Sequence, residues 1–520
     1  MDVALTGASL TLGEVEAVAR RGATASLDAD ARSRMDDARA VIEHLVAAGE
    51  LVYGVSTGFG DLASIRIERD AVERLQENLL ISHAAGVGES LPREVVRAML
   101  LLRANTLALG HSGCRPLLVE RLLEFLAAGI HPIVPEQGSV GASGDLAPLA
   151  HLALPIIGRG DVEYGGQTLP ALVALREARL EPVVLQAKEG LALLNGTQMM
   201  SALGCLVAAD AERLIRTASV AAAMSVEALE GTAVAFAAPY QLARPHPGQV
   251  AVASQMRWLL RDSELQGAHR GSGHKVQDPY SLRCVPQVHG AVADALGVLR
   301  SILDIEINSA TDNPLVFPEG SAAPADATAT GGGLVISGGN FHGEPVALAL
   351  DYAKLALAEL GSISERRTAL LVDARLSGGL PAFLTEASGL ESGMMLYQYT
   401  AAALASEDKV LAHPASADSI PTSANQEDHV SMGSIAARHA RTVLANVERI
   451  VAIELLCAAQ ALDFRVAQRG SAPGLGVAEA HRRVRERVGH LDRDREPGPD
   501  LAVAAALVHE GALADLADPF

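Results

Sequence analysis

Aromatic residues and cysteines are both scarce in this chain. Aromatic side chains make up 3% of its 520 residues, which favours helices packed through small residues over a β-sandwich. No two of the four cysteines form a Cys-x-x-Cys pair, so a zinc knuckle and a dithiol redox site are disfavoured. Four cysteines in so long a chain also disfavour a disulfide framework. Reduced thiols in the cytoplasm are expected. The cysteines are Cys114, Cys205, Cys284 and Cys457.

Positive charge is lacking as well. Lys and Arg number 42 against 62 Asp and Glu, and the formal net charge is −20. So acidic a chain is repelled by nucleic acid and by anionic membranes, and neither is expected as a partner. The uncharged run 190–209 contains Asn195, Thr197 and Gln198 and is too polar to span a membrane. The start Met1 to Ala4 lacks the basic and apolar character of a signal peptide, so a cytoplasmic location is expected.

Metal-binding patterns are missing too. The 16 histidines include no His-Glu-x-x-His pattern and no Cys/His cluster, so no catalytic metal is expected.

Alanine and leucine are abundant, and four stretches space their apolar residues by three and four, as helices do. Helices of about thirty residues exceed the usual globular length, so a mainly α, long-helix bundle is predicted. One helix opens at Pro92, and the others cover Gln198–Leu229, Phe341–Ala374 and Met432–Phe464.

The first 190 residues differ, because shorter helices alternate there with glycine-rich segments. We therefore predict an N-terminal domain over residues 1–190, and the central long-helix bundle with C-terminal helices over residues 191–520. The Ala/Gly/Thr-rich stretch Gly320–Gly333 is predicted to be a surface loop.

Residues 138–151 read Gly-Ser-Val-Gly-Ala-Ser-Gly-Asp-Leu-Ala-Pro-Leu-Ala-His and allow two interpretations. In the first, a glycine-rich loop leads into a helix with Asp145 as N-cap and Pro148 in its first turn. In the second, the unhindered Gly144 nitrogen closes a ring on the Ala142 carbonyl carbon with loss of water. Loss of the Ser143 hydroxyl as a second water then leaves a methylidene-imidazolone, which is a strong electrophile.

Each residue type of the tripeptide suits that chemistry. Gly144 has no Cβ to resist the strained closing geometry, and Ser143 supplies the leaving hydroxyl. Asp145 is adjacent and could shuttle protons. The electrophile would stand at a helix N-terminus, whose dipole favours developing negative charge.

This fourteen-residue string closely resembles the signature of the histidine/phenylalanine/tyrosine ammonia-lyase family, which uses such an electrophile to expel ammonia from α-amino acids. The resemblance covers nearly the whole chain through separate motifs in the family's order. It implies a long-helix fold of the ammonia-lyase/fumarase-like type, with the electrophile loop in the smaller N-terminal part. It also implies an autocatalytic methylidene-imidazolone (MIO) from Ala142, Ser143 and Gly144, no external cofactor, and a homotetramer whose sites are each built from three chains.

Two N-terminal motifs resemble family segments that act on the substrate. Tyr53, in Tyr-Gly-Val-Ser-Thr-Gly-Phe-Gly, matches the proposed base that removes the β-proton, although such a tyrosine in isolation is more often a half-buried aromatic. A phosphate cradle is disfavoured there because no Gly-Lys-Ser/Thr follows. His83, in Ser-His-Ala-Ala-Gly, matches the histidine-type pattern and would bind the substrate imidazole, although a lone histidine is usually structural.

Four further residues match positions that the family uses around its substrate. Asn195 would contact the substrate and the electrophile's oxygen, although a helix cap explains it equally well. In segment 276–283, Gln277 would bind substrate and Tyr280 would support the electrophile or proton transfer. Arg283 would hold the α-carboxylate through its planar fork, whereas a surface arginine is the simpler interpretation without the resemblance.

Phe341 and Glu427 complete the predicted site. Phe341 would pack beside the electrophile, and ordinary core packing is its alternative. Glu427 matches histidine-type members, because phenylalanine- and tyrosine-type members tend to have Gln there. Its carboxylate would face the second imidazole nitrogen, although a helix-start carboxylate is nearly as good an explanation in isolation.

The resemblance implies a carbon–nitrogen lyase that deaminates L-histidine to trans-urocanate and ammonia without oxidation. Val285, His289 and Gly343 depart from the family pattern, and a His289 facing the pocket would put the substrate in doubt. One alternative is a tyrosine or phenylalanine ammonia-lyase or an aminomutase with the same electrophile; His83 together with Glu427 argues against it. Another is an inactive helical scaffold, which the intact tripeptide and Tyr53 argue against.

Overall fold

The computed structural model describes residues 2–50, 71–268, 276–318, 328–330 and 333–518. Helices fill most of these residues, which confirms the predicted mainly α class. Within these ranges, no helix combines the length and the apolar character needed to cross a membrane.

Short helices and strands alternate before the first long helix. Local signals explain several of them: Thr11 and Glu14 form a capping box on α1, Asp28 caps α2, and Pro116 occupies the first position of α5. In chain order the elements are β1 (Asp2–Leu5), α1 (Leu12–Arg20), β2 (Thr24–Leu27), α2 (Ala29–Ala48), α3 (Val72–His83), β3 (Val87–Ser90), α4 (Arg93–Ala108), α5 (Pro116–Ala128), β4 (His131–Pro132), β5 (Pro135–Gln137), α6 (Leu146–Ala153), β6 (Asp161–Tyr164), β7 (Gln167–Pro170), α7 (Ala171–Glu177) and α8 (Glu189–Leu194).

Long helices dominate the rest of the described chain. In order its elements are α9 (Gln198–Ala228), α10 (Ala238–Leu242), α11 (Pro247–Leu259), α12 (Glu264–Ala268), α13 (Tyr280–Arg283), α14 (Val285–Glu306), β8 (Leu315–Pro318), β9 (Thr328–Thr330), β10 (Gly333–Ile336), α15 (Glu344–Val372), α16 (Met395–Leu411), α17 (Gly433–Arg469), α18 (Leu475–Arg485) and α19 (Pro497–His509).

The predicted long helices are confirmed. Helix α4 begins directly after Pro92, and α9, α15 and α17 run for 31, 29 and 37 residues. Helix α17 continues past Phe464 to Arg469, and the buried Arg465 in this last part donates to backbone carbonyls such as that of Ser377.

Among the described residues, the strands form four small sheets. Parallel β1 and β2 pair Asp2 with Thr24, while β3–β5, β4–β6–β7 and β8–β10–β9 are antiparallel. The prediction of a loop over 320–333 is wrong where the structure describes it, because β9 lies inside that stretch and Gly333 begins β10. Backbone pairing of Gly333 with Pro318 overrides the loop-like composition.

The chain groups by spatial contacts into two compact units, each drawn from three segments. The first unit comprises Met1–Leu206, Leu299–Asp351 and Pro414–Arg438, and the second comprises Val207–Val298, Tyr352–His413 and His439–Phe520. The boundary near residue 190 remains a prediction. A core cluster of the first unit joins α2 and β8 through Ala38, Val41, Ile42, Leu45, Val72, Ala187 and Val316.

Candidate active site

The tripeptide 142–144 lies in the first unit, between β5 and α6, and the segment 430–434 clamps it. Ala142 is buried against Val430 and Met432. The backbone nitrogen of Met432 donates to the carbonyl of Val140 at 2.8 Å, and the Ser434 hydroxyl donates to the carbonyl of Ser139 at 2.6 Å. The segment 430–434 therefore holds the loop just before the residues proposed to react and at Ala142 itself.

Gly144 packs closely against the backbone of Gly196. It adopts φ +72°, and a Cβ there would overlap with the carbonyl oxygen of Gly196. The next residue, Asp145, donates its backbone N–H to that same oxygen at 2.7 Å. Glycine is thus required at position 144 for close packing as well as for its backbone conformation.

Ser143 is bound at both of its oxygen atoms. Its hydroxyl donates to Oε1 of Glu427 at 2.9 Å, and its carbonyl accepts from Nδ2 of Asn195 at 2.9 Å. The second oxygen of Glu427 accepts from the hydroxyl of Thr422 at 2.7 Å. The Ser143 hydroxyl, which the second dehydration would expel, and the Ser143 carbonyl oxygen, which would stay on the ring, therefore have separate partners.

Asp145 occupies the predicted N-cap position of α6, but its side chain makes no capping hydrogen bond to that helix. Its carboxylate is buried and accepts from the backbone nitrogens of Met199 and Met200, both at 3.0 Å, in the first turn of α9. Burial raises the pKa of Asp145 to about 7, against these hydrogen bonds, which favour the charged form. The predicted N-cap position is therefore confirmed for α6, whereas the carboxylate caps the first turn of α9.

His83 is the last residue of α3 and is half-buried. Its Nδ1 lies 3.1 Å from the hydroxyl of Ser82. Burial lowers the pKa of His83, while the carboxylate of Glu427 acts in the opposite direction. His83 and Glu427, the two residues predicted to bind the substrate ring, therefore interact electrostatically within the first unit.

Gln277, Tyr280 and Arg283 lie together in the second unit. The Nη2 atom of Arg283 donates to Oε1 of Gln277 at 3.1 Å, and its guanidinium carbon lies 4.5 Å from the centre of the Tyr280 ring. Tyr280 is 71% exposed. The Nε of Arg283 is buried and has no hydrogen-bond partner in the described part of the chain. This cluster can bind a carboxylate through a stacked guanidinium.

Phe341, Tyr53 and His289 are the other residues singled out from the sequence. Phe341 is half-buried just before α15, and its place beside the electrophile remains a prediction. Tyr53 lies outside the described residues. His289 is fully buried in the second unit, where it contacts the Ser219 hydroxyl at 3.3 Å and Arg367 at 3.5 Å, and burial holds its pKa well below the ordinary value.

Sequence reasoning missed Thr422 and Arg103. Thr422 holds Glu427, and its motif gives no signal for that contact. Arg103 donates to the carbonyl of Asn195 at 2.8 Å. A signal exists for Arg103, because it is the only charged residue between Ala98 and Gly110 in an otherwise largely apolar stretch.

The chain is similar to known proteins over nearly its full length. A family model of aromatic amino acid lyases matches residues 10–486. The histidine ammonia-lyase of Gloeobacter violaceus is 54% identical over 512 residues, which cover 98% of this chain and 96% of that protein. The crystal structure of histidine ammonia-lyase from Trypanosoma cruzi is 44% identical with a TM-score of 0.90, covering 100% of this chain and 95% of that one. Tyrosine aminomutase from Streptomyces globisporus is 38% identical with a TM-score of 0.91, covering 99% and 98%. These structures confirm the predicted ammonia-lyase type of fold.

Proposed function

This chain belongs to the aromatic amino acid lyase family and is a carbon–nitrogen lyase; we propose that it deaminates L-histidine to trans-urocanate and ammonia without oxidation. The observation that carries the proposal is that Ser143 makes two hydrogen bonds, one from its hydroxyl to Glu427 and one from the side chain of Asn195 to its carbonyl. Two predicted site residues thus meet on the residue whose chemistry the reaction requires.

The residues at 142–144 fit a methylidene-imidazolone made from the chain itself. In its formation, Gly144 nitrogen bonds to the Ala142 carbonyl carbon and that oxygen leaves as water; Ser143 then loses its hydroxyl and its Cα hydrogen as a second water. The left-handed conformation of Gly144 suits so tight a turn. The group supplies an electrophilic carbon that makes the substrate amine a better leaving group, and no cofactor from outside the chain is required.

Two buried polar side chains would assist ring formation. The Ser143 carbonyl oxygen remains after closure, and the amide of Asn195 would stabilise negative charge on it. Asp145 is adjacent to Gly144, and its pKa of about 7 lets it take up or release a proton near neutral pH. We propose Asp145 as the proton shuttle of the two dehydrations.

Glu427 and His83 would read the substrate ring. Loss of the Ser143 hydroxyl removes the donor that Glu427 Oε1 binds, while Oε2 keeps Thr422. One carboxylate oxygen then becomes a free acceptor for an imidazole N–H. His83 stays neutral at neutral pH because burial lowers its pKa. Its Nδ1 contacts the Ser82 hydroxyl, so Nε2 is the nitrogen that it would offer to the substrate ring. Phenylalanine would leave these groups unpaired, which disfavours it as a substrate.

The remaining roles rest on the family resemblance and on the cluster in the second unit. Arg283 would bind the α-carboxylate, with Gln277 fixing one edge of its guanidinium and Tyr280 stacked on its face. Tyr53 would remove the β-proton, and Phe341 would form a wall beside the electrophile.

We also propose a homotetramer with active sites shared between chains, in the cytoplasm. Apolar side chains at helical spacing on α15 support the assembly: Leu348, Tyr352 and Leu355 are 55%, 49% and 56% exposed. A second copy of this chain is the partner proposed for that face. The four cysteines are free thiols, which suits a reducing compartment.

The test is to incubate the purified protein separately with L-histidine, L-tyrosine and L-phenylalanine. Absorbance of the unsaturated acid, free ammonia and any β-amino acid are followed together. Histidine alone is expected to react, Ser143→Ala to abolish the reaction, and Ser309→Ala to leave it intact. Reaction with tyrosine or phenylalanine would overturn the assignment of L-histidine as the substrate. A β-amino acid product would indicate an aminomutase, and inactivity with all three amino acids would favour the inactive scaffold.

A further inference from the structure

Arg103 lies in the middle of α4, and its guanidinium is fully buried. Its Nη1 atom donates to the carbonyl oxygen of Asn195 and to Oε1 of Gln198, each at 2.8 Å. Asn195 follows the end of α8 and Gln198 begins α9. One guanidinium nitrogen therefore fixes the turn 195–198 that joins these two helices.

The turn 195–198 is the support on which residues 143–145 rest. The side chain of Asn195 donates to the Ser143 carbonyl at 2.9 Å, and the backbone nitrogen of Asp145 donates to the Gly196 carbonyl at 2.7 Å. Gly144 lies between these two bonds, with its backbone against Gly196. The position of the turn thus sets the position of the residues that close the ring.

The turn fits Arg103 without spare room. A Cβ on Gly196 would lie 2.5 Å from Nη1 of Arg103, so only glycine allows this contact. Gln198 is oriented by its own amide nitrogen, which donates to the hydroxyls of Thr106 at 3.2 Å and Thr311 at 2.8 Å. Its oxygen is thereby directed to Arg103.

The charge of Arg103 is poorly compensated. Its Nε and Nη2 atoms have no hydrogen-bond partner among the residues that the structure describes. Asp312, which favours the charged guanidinium, is already ion-paired with Lys188 at 3.0 Å. A buried cation with unfilled donors destabilises a fold relative to an apolar side chain of similar length, so stability alone does not account for this residue.

We propose that Arg103 is a positioning residue for formation of the methylidene-imidazolone, acting through Asn195 and Gly196 on the tripeptide 142–144. The inference rests on the proposed function, because it assumes that the tripeptide cyclises. Ring closure depends steeply on the placement of the reacting atoms, so a looser turn slows closure far more than it perturbs the fold.

The experiment compares the wild type, Arg103→Met, Arg103→Lys and a matched control, Arg39→Met. Arg39 is another buried arginine of the first unit that donates to backbone carbonyls, those of Gly113 and Ala187, and none of its partners lies in 139–145 or 195–198. Folded full-length protein is isolated at intervals after expression begins. Intact-mass spectrometry then gives the fraction that has lost two waters, and thermal unfolding gives the stability of each variant.

Arg103→Met is expected to cyclise roughly tenfold or more slowly, the effect of losing hydrogen bonds from a charged donor, with Arg103→Lys intermediate. Arg39→Met is expected to lose stability and cyclise at the wild-type rate. Equal cyclisation rates for Arg103→Met and Arg39→Met would overturn the proposal. Should Arg103→Met yield no folded protein, a wild-type rate for Arg103→Lys would overturn it, and a slower rate would support it. A wild type that keeps both waters would instead refute the electrophile, and with it the proposed function.

Discussion

The hydroxyl of Ser143 donates a hydrogen bond of 2.9 Å to Glu427, although 284 positions separate the two residues along the chain. The bond joins the hydroxyl that the second dehydration would expel to the carboxylate proposed to bind the substrate ring. In the proposed chemistry, the step that completes the electrophile therefore also frees Oε1 of Glu427 to bind the substrate ring.

Glu427→Gln is expected to lower kcat/KM for L-histidine by about 10- to 100-fold, because a charged hydrogen bond to the substrate ring is replaced by a neutral one. The amide oxygen can still accept from the Ser143 hydroxyl, so the loss of two waters is expected to remain complete. Steady-state kinetics and intact mass check the two statements. Asp428→Asn, a change at the neighbouring exposed carboxylate, serves as control. An unchanged kcat/KM would show that Glu427 does not contribute to binding the substrate ring.

Gly144→Ala is expected to block ring formation, because the added methyl group would overlap with the Gly196 carbonyl oxygen. The loop must then shift away from Asn195, which holds Ser143. Intact mass is expected to show both waters retained. Gly129→Ala is the matched control, since Gly129 has the same φ of +72° but nothing within 4 Å of a Cβ. Full dehydration of the Gly144→Ala chain would show that the close approach to Gly196 is dispensable.

The long helices could be predicted because their information is local. The spacing of apolar residues in α9 and α15 repeats through each helix, so the sequence alone reveals it. Strand β10 could not be predicted in the same way, because its pairing with β8 depends on residues outside the Gly-rich stretch itself.

The site divides along the same line. Their own chemistry points to Ser143 and Gly144, and the resemblance points to His83 and Glu427; the roles of all four remain predictions. The partners of Asp145 were not, because Met199 and Met200 lie 54 and 55 positions away and contribute backbone atoms that carry no side-chain signal. Long-range backbone contacts of this kind are visible only in the folded chain.

Asp145 is expected to make stability depend on pH. Burial raises its pKa from 3.8 to about 7, so the folded chain binds more protons than the unfolded chain between these values. Its contribution is full below pH 3.8 and is lost as pH rises toward 7. In Asp145→Asn, one amide oxygen can accept both backbone bonds that one carboxylate oxygen now accepts. Relative to that variant, the wild type should lose up to about 1.4 kcal/mol per pH unit in this window. Denaturant unfolding from pH 4 to 8 measures the difference, and a difference independent of pH would contradict the assignment.

Glu454→Gln is expected to destabilise the second unit by about 3–5 kcal/mol, because it breaks a fully buried ion pair and leaves Arg367 without its counter-charge. The two oxygens of Glu454 accept from Arg367 at 2.5 and 2.8 Å, and the hydroxyls of Ser225 and Ser364 fill the remaining positions. Denaturant unfolding measures the loss. Glu479→Gln is the control, because Glu479 also accepts from arginine side chains, those of Arg482 and Arg483, but at the surface where such pairs contribute little. Equal shifts of the denaturation midpoint in both variants would mean that burial does not set the strength of the Arg367–Glu454 pair.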